Sequence, residues 1–135
     1  MRKHELLPHV ADVRLNLEGD SLKELFIAAI EGMAELSKKE LCKEFKLEEQ
    51  ISISAKDATI LLIDFLSEIL TLQHVNKAIY CKIDFSSLSE TSLNAMVYGC
   101  STDSFDEDIK AVTYHEAEIK KNKKGFYETV IIFDI

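Results

Sequence analysis

The fold is decided by residues 13–36, VRLNLEGDSLKELFIAAIEGMAEL, in which the spacing of apolar residues changes from two to a helical repeat. Apolar and polar residues alternate through 13–18, as in a strand with one buried face. Ser21 and Glu24 then fit the capping box, in which a serine hydroxyl and a glutamate carboxylate satisfy free amides at a helix start. Seven apolar residues follow at helical spacing: Leu22, Leu25, Phe26, Ala29, Ile30, Met33 and Leu36. The stretch predicts a strand, a turn and a helix over 21–37.

The same two patterns occur once more and then give way to strands. KLEEQISISAK (46–56) alternates again, and Asp57 is placed to cap a second helix with the apolar residues Ile60, Leu61, Ile63, Leu66, Ile69 and Leu70. Four strand-like runs follow, at 77–85, 92–100, 110–119 and 126–135. The order β-α-β-α-β-β-β-β predicts an α+β fold, with two helices packed on a largely antiparallel sheet of about six strands. Because no linker or repeat interrupts the chain, we expect one domain over 1–135.

The composition argues against several classes of protein. Asp and Glu number 24 against 16 Lys and Arg, for a net charge of −8. Affinity for a phosphate backbone comes mostly from basic residues, so we expect RNA to be met only through another protein. The apolar stretch 58–72 is interrupted by Asp64 and Glu68 and is too short to cross a bilayer, and the first residues lack the apolar core of a signal peptide. We therefore predict a cytoplasmic protein without membrane contact.

The three cysteines, Cys42, Cys81 and Cys100, are spread along the chain without a CxxC pair. An odd, unclustered set is typical of buried reduced thiols rather than of a disulfide framework or a zinc ribbon. We expect all three to be reduced.

Acidic and histidine residues offer weaker signals. DSFDED (103–108) could bind calcium, but it lacks the glycine and the terminal glutamate of an EF-hand loop, so a solvated surface loop is favoured. His74 is expected near the end of the second helix in a structural role. In HVAD (9–12), His9 and Asp12 could join a metal site, although turn and capping roles are commoner for so short a motif.

The end of the chain adds support for a metal-binding role of HVAD (9–12). Asp134 and the α-carboxylate of Ile135 place two acidic groups on adjacent residues, and fixed carboxylates repel each other unless a cation neutralises them. Asp12 would make a third. Such an oxygen-only set favours calcium, magnesium or manganese over zinc or copper. Alternatively, Lys110 supplies the positive charge.

Four segments resemble the signature segments of the archease family, in the same order and at similar separations. They are HVADV (9–13), LLIDFLSEILTL (61–72), EDIKAVTYHEAEI (107–119) and the terminal VIIFDI (130–135). The resemblance runs from end to end of the chain. It implies a small α+β protein that is not itself a ligase but assists the RNA ligase of the RtcB type in tRNA splicing. In that role it promotes GTP-dependent guanylylation of the ligase and multiple turnover, so that RNA and GTP are met only through the ligase.

The resemblance also implies roles for particular residues. It makes Asp12, Asp134 and the terminal carboxylate of Ile135 the ligands of a divalent metal, with calcium first and magnesium or manganese as alternatives. It makes Lys110 a functional basic group, and it places His9 and His115 at motif positions with positioning or structural roles.

The chain departs from the family pattern at two places. Phe65 and Ser67 replace an aromatic residue and an amide in the second helix, and Phe126 or Tyr127 stands where a tryptophan is frequent. Phenylalanine keeps the apolar ring of tryptophan but lacks its N–H donor, so these changes bear on packing or partner contact.

Two other functions compete with the accessory role. A stand-alone metal-dependent hydrolase is disfavoured because the sequence shows neither a nucleophile with an adjacent base nor a glycine-rich phosphate loop. A chaperone-like scaffold would need no metal.

Overall fold

The computed structural model describes residues 2–4, 12–40 and 42–135. Within these residues the chain forms two helices and seven strands: β1 Asp12–Gly19, α1 Leu22–Ser37, β2 Leu47–Ser54, α2 Ala58–Asn76, β3 Ala78–Leu88, β4 Ser92–Ser101, β5 Ala111–Thr113, β6 Lys120–Lys121 and β7 Tyr127–Asp134. The predicted α+β class is confirmed, as is the predicted order of elements, to which the structure adds the two-residue strand β6.

The strands form two antiparallel sheets. In the first, β7 lies between β1 and β5 and also pairs with β6, and in the second, β4 lies between β2 and β3. The predicted strand over 110–119 is wrong for most of its length, because β5 ends at Thr113 and a turn follows, with the Ala117 N–H donating to the Tyr114 carbonyl at 3.2 Å. Val112 and Ile119 still pack on the core on either side of that turn, which explains why the apolar spacing resembled one strand.

Both helices begin at the predicted caps. The Ser21 hydroxyl accepts the Glu24 N–H at 3.1 Å, and the Asp57 carboxylate accepts the Ile60 N–H at 2.9 Å. Each cap satisfies one of the amides that a helix start leaves free. The two caps therefore fix the residue at which each helix begins.

An aromatic cluster joins the helices to the second sheet. The Phe65 ring of α2 lies 5.4 Å from that of Phe26 in α1 and 6.3 Å from that of Phe85 in β3. Phe65 has no exposed surface. The phenylalanine that departs from the family pattern is thus a core residue, and the neighbouring Ser67 is only half-buried.

Among the described residues, α2 is long and apolar enough to span a membrane by length and composition. It runs for 19 residues, so the expectation that this segment is too short was wrong. Eight of those residues are buried against the rest of the protein. Core helices commonly show such apolarity, because they bury most of their surface.

The expectation of three reduced cysteines was wrong as well. Cys42 and Cys100 form a disulfide, 58 residues apart in sequence with Cα atoms 5.7 Å apart, and Cys81 remains a free thiol. Sequence spacing could not show this pairing, because it depends on the loop after α1 returning to the end of β4.

Candidate functional site

The two predicted aspartates meet at one end of the first sheet. Asp12 begins β1, Asp134 ends β7, and the two residues are directly opposed in the antiparallel ladder. Opposed residues in such a ladder point to the same face, with Cα atoms about 4.5–5.5 Å apart. Both side chains are exposed. The fold therefore places two carboxylates, distant in sequence, side by side on the open face of the sheet.

Ile135 follows Asp134 directly and is anchored to the protein. Its side chain is half-buried and packs at the edge of the core. The anchoring holds the main chain of Ile135 next to the aspartate pair. The last residue of the sequence thus lies beside the two predicted ligands.

Lys110 lies on the other side of β7. Its N–H donates to the Asp134 carbonyl at 2.7 Å, and the next residue, Ala111, is opposed to Asp134 in the sheet. The Lys110 side chain is exposed. All four predicted site residues, Asp12, Asp134, Ile135 and Lys110, are therefore brought to the same corner of the fold.

The sequence interpretation missed a second charged pair near this corner. The Arg14 guanidinium donates a hydrogen bond to the Glu116 carboxylate. This hydrogen bond raises the pKa of Arg14 and lowers that of Glu116, and the charge of Asp12 also raises the pKa of Arg14. Because alternate residues of a strand share a face, the two-residue spacing of Asp12 and Arg14 could have placed this arginine beside the site.

Glu116 reaches Arg14 from an unusual backbone conformation. Its φ is 58°, in the left-handed region that favours glycine. The preceding residues are tied to other elements, since the Tyr114 hydroxyl donates to the Asp64 carboxylate of α2. The turn after β5 is thus attached both to α2 and to β1.

The two histidines of the signature segments, His9 and His115, add little to the candidate site. The His115 side chain is 75% exposed, with its Nε2 3.9 Å from Glu116 Oε1, so it borders the Arg14–Glu116 pair. His9 lies outside the described residues. The positioning or structural roles expected for both stay predictions.

The acidic loop at 103–108 is engaged in structural contacts. The Asp106 carboxylate accepts the Lys39 N–H at 2.8 Å, and this hydrogen bond lowers the pKa of Asp106. Asp108 lies 3.6 Å from His74 in α2, which also meets the Phe105 ring at 5.6 Å. These contacts favour the surface-loop interpretation over a calcium loop, and they give His74 the structural role expected of it.

A second pair of opposed carboxylates lies at the far end of the same two strands. Glu18 of β1 and Glu128 of β7 face each other, and the Asn122 side-chain amide donates to both, at 2.9 and 3.3 Å. They line a groove of about 460 Å³ on this face. In the described ranges, the hydrogen bonds and ion pairs include no such shared donor for Asp12 and Asp134. The two pairs thus differ in how their charge is balanced.

The donor set at Asp12 and Asp134 suits a hard cation. Among the described residues, no group of three His, Cys, Asp or Glu side chains is placed to hold a metal ion. The predicted set contains only two such side chains, and its third ligand is a main-chain carboxylate. Carboxylate oxygens are the ligands that calcium, magnesium and manganese prefer.

Comparison with known proteins gives the family to which this chain belongs. The Archease protein family (MTH1598/TM1083) matches residues 4–135, and the chain belongs to this family. Protein archease of Methanosarcina mazei is 27% identical over 139 residues, covering 97% of this chain and 95% of that protein. Protein archease of Pyrococcus abyssi is 28% identical over 144 residues, covering all of both chains.

Solved structures show the same fold. The crystal structure of an archease from Thermotoga maritima, described as a possible chaperone, is 17% identical with a TM-score of 0.66, covering 100% of this chain and 99% of that one. The solution structure of Methanobacterium thermoautotrophicum protein 1598 is 23% identical with a TM-score of 0.72, covering 96% of each chain. The family membership and the fold predicted from the sequence are confirmed.

Proposed function

We propose that this chain is a cytoplasmic accessory protein of an RtcB-type RNA ligase in tRNA splicing. In this role it promotes GTP-dependent guanylylation of the ligase and so allows multiple turnover, without being an RNA ligase itself. Family membership supports an accessory role. The observation that carries the proposal is the convergence of Asp12, Asp134 and Lys110 on one exposed corner.

Asp12, Asp134 and the carboxylate of Ile135 would hold the divalent metal, with calcium preferred and magnesium or manganese as alternatives. The support is chemical, because two opposed carboxylates repel each other and an oxygen-only donor set matches a hard cation. When bound, the metal supplies positive charge at the exposed corner of the sheet. The aspartates hold that charge at the surface, where a docked partner can reach it.

Lys110 would supply a second positive charge. Its main chain is fixed by the hydrogen bond to Asp134, while its side chain stays exposed. A lysine ammonium is a compact charge suited to phosphate oxygens. Transfer of a nucleotidyl or phosphoryl group depends chiefly on positioning and on charge stabilisation, so a lysine presented to the ligase can assist a step that the ligase carries out.

Guanylylation of the ligase tests this proposal. The purified ligase is incubated with labelled GTP and divalent metal, with wild-type protein or with Asp12→Asn, Lys110→Ala or Glu18→Gln. We expect wild-type protein and Glu18→Gln to accelerate labelling, and Asp12→Asn and Lys110→Ala to lose most of that acceleration. Glu18→Gln is the matched control, because it removes one carboxylate from the other opposed pair of the same strands. Equal acceleration by all four proteins would contradict the roles given to Asp12 and Lys110.

A metal-independent chaperone-like role is the second candidate, favoured by the description of the Thermotoga maritima structure as a possible chaperone. Calorimetric titration with calcium, magnesium and manganese separates the two. The accessory role with a metal site predicts binding of at least one ion by wild-type protein and its loss in Asp134→Asn. Absence of binding for every ion would favour the scaffold.

A further inference from the structure

Two of the three cysteines are bonded at one end of the second sheet. Cys42 lies in the α1–β2 loop (38–40 and 42–46), and Cys100 lies in β4. Cys81 of β3 is a neighbour, because the Cys42 N–H faces its sulfur. Burial raises the pKa of Cys81, and that hydrogen bond offsets the rise only in part. Cys81 therefore stays a protonated, weakly reactive thiol near neutral pH, beside an oxidised pair.

The disulfide is accessible from solvent. Cys42 and Cys100 are each half-buried, and together they line a groove of about 360 Å³ whose charged walls are Lys38, Glu40 and Lys43. Thiol–disulfide exchange requires that an attacking thiolate can reach a sulfur. The groove therefore leaves this disulfide accessible to a small dithiol.

The α1–β2 loop in turn holds the acidic loop at 103–108. The Lys39 N–H donates to the Asp106 carboxylate at 2.8 Å. The Asp106 N–H also donates to the carbonyl of Ser37, the last residue of α1, at 2.8 Å. The Lys38 ammonium donates to the Ser104 carbonyl at 3.2 Å. A disulfide that fixes the α1–β2 loop thus also restrains the acidic loop.

The acidic loop leads directly into the corner described above. Ile109 is buried, and the next residue, Lys110, is the one whose N–H bonds the Asp134 carbonyl. Few residues separate the contacts of Asp106 from Lys110. Release of the acidic loop therefore acts on the segment that positions Lys110.

We propose that Cys42 and Cys100 form a reversible redox site that a dithiol reductant opens, and that its reduction releases the α1–β2 loop and the acidic loop together. In the cytoplasmic location proposed above, disulfides are usually transient, and both half-buried cysteines of this one line a groove. The proposal concerns the chain alone and stands or falls independently of any ligase.

The exchange is balanced. A thiolate of the reductant attacks one sulfur of the pair, forms a mixed disulfide and expels the other cysteine as a thiolate, which takes a proton. The second thiol of the reductant then attacks the mixed disulfide and releases the remaining cysteine. Two electrons and two protons pass to Cys42 and Cys100, and the reductant ends as its own disulfide.

Thiol counting with dithiothreitol as the dithiol tests the first half of the proposal. The full chain is alkylated in denaturant before and after treatment of the native protein with dithiothreitol, and the modified peptides are identified by mass. We expect alkylation of Cys81 alone before treatment and of all three cysteines after it. Three modified cysteines before treatment, or Cys42 and Cys100 still protected afterwards, would overturn the redox site.

Limited proteolysis and hydrogen exchange test the second half. The α1–β2 loop carries Lys38, Lys39, Lys43 and Lys46 as trypsin sites, and opening exposes such sites by local unfolding. After reduction we expect cleavage in this loop to be at least about tenfold faster, with faster amide exchange in 103–110. Cys81→Ser is the matched control and should respond like wild type, whereas Cys42→Ser should be cleaved rapidly with or without dithiothreitol. Unchanged cleavage and exchange in reduced wild-type protein would overturn the coupling, and this result needs no variant to fold.

Discussion

Replacing Phe65 by alanine removes the ring at the centre of the aromatic cluster. Phe65 has no exposed surface and contacts the rings of Phe26 and Phe85, so it ties α2 to both α1 and β3. The ring has no polar atom, and its loss leaves no unpaired hydrogen-bonding group. The change therefore isolates the packing contribution at the position where this chain departs from the family pattern.

The magnitude follows from burial and cavity size. Exchanging phenylalanine for alanine leaves a space of roughly 100 Å³, which at about 24 cal/mol per Å³ costs about 2 kcal/mol. The lost transfer of the ring from water adds roughly 2 kcal/mol. We therefore expect the free energy of unfolding to fall by about 4 kcal/mol, within the range of about 3–5 kcal/mol found for such changes.

Urea unfolding followed by circular dichroism measures this loss. The matched control is Phe45→Ala, the same chemical change at a residue that is 46% exposed, for which we expect a loss below about 1 kcal/mol. The dependence of the unfolding free energy on urea should stay the same in both variants. A loss below about 1 kcal/mol for Phe65→Ala would refute the packing described for the cluster.

Three further predictions concern the candidate site and the acidic loop. Calcium at one hundred times its Kd should stabilise wild-type protein by about 2.7 kcal/mol and so raise its melting temperature. Asp134→Asn should abolish this rise while Glu128→Gln keeps it; an unchanged rise in Asp134→Asn would remove this residue from the ligand set. A short peptide added after Ile135 should weaken metal binding in calorimetry as Asp134→Asn does, and equal affinity in the extended protein would exclude the terminal carboxylate. The pKa of Asp106 is held below 3.8 by its hydrogen bond from the main chain, so its stabilising effect is complete above about that pH and is lost as the pH falls through the lower, folded-state pKa. Urea midpoints of wild type and Asp106→Asn should therefore differ near neutral pH and converge in strong acid, and a constant difference would contradict this linkage.

The sequence predicted the features that depend on local pattern. The caps at Ser21 and Asp57 were identified because a hydroxyl or carboxylate before an apolar helical repeat has one dominant use. The meeting of Asp12 with Asp134 depended on recognising that the first and last strands belong together, which no local pattern shows. The resemblance to a family supplied that relation, and the antiparallel register then placed the two carboxylates side by side.

Features that depend on long-range contacts were not predicted. The disulfide between Cys42 and Cys100 spans 58 residues and requires the loop after α1 to reach β4. The position of Glu116 was not predicted, because a turn interrupts an apolar alternation that otherwise resembles one strand. Its pairing with Arg14 joins the turn after β5 to β1, and neither partner carries a local signal for the other.

Turnover of an RtcB-type ligase tests the proposed function most directly. Ligation of RNA ends is counted per ligase molecule, with GTP and divalent metal in excess, in the absence and in the presence of this protein. We expect the protein to raise ligation well above one event per ligase molecule, and Asp134→Asn to leave it near one event. Ligation that stays at one event per ligase molecule with wild-type protein present would contradict it.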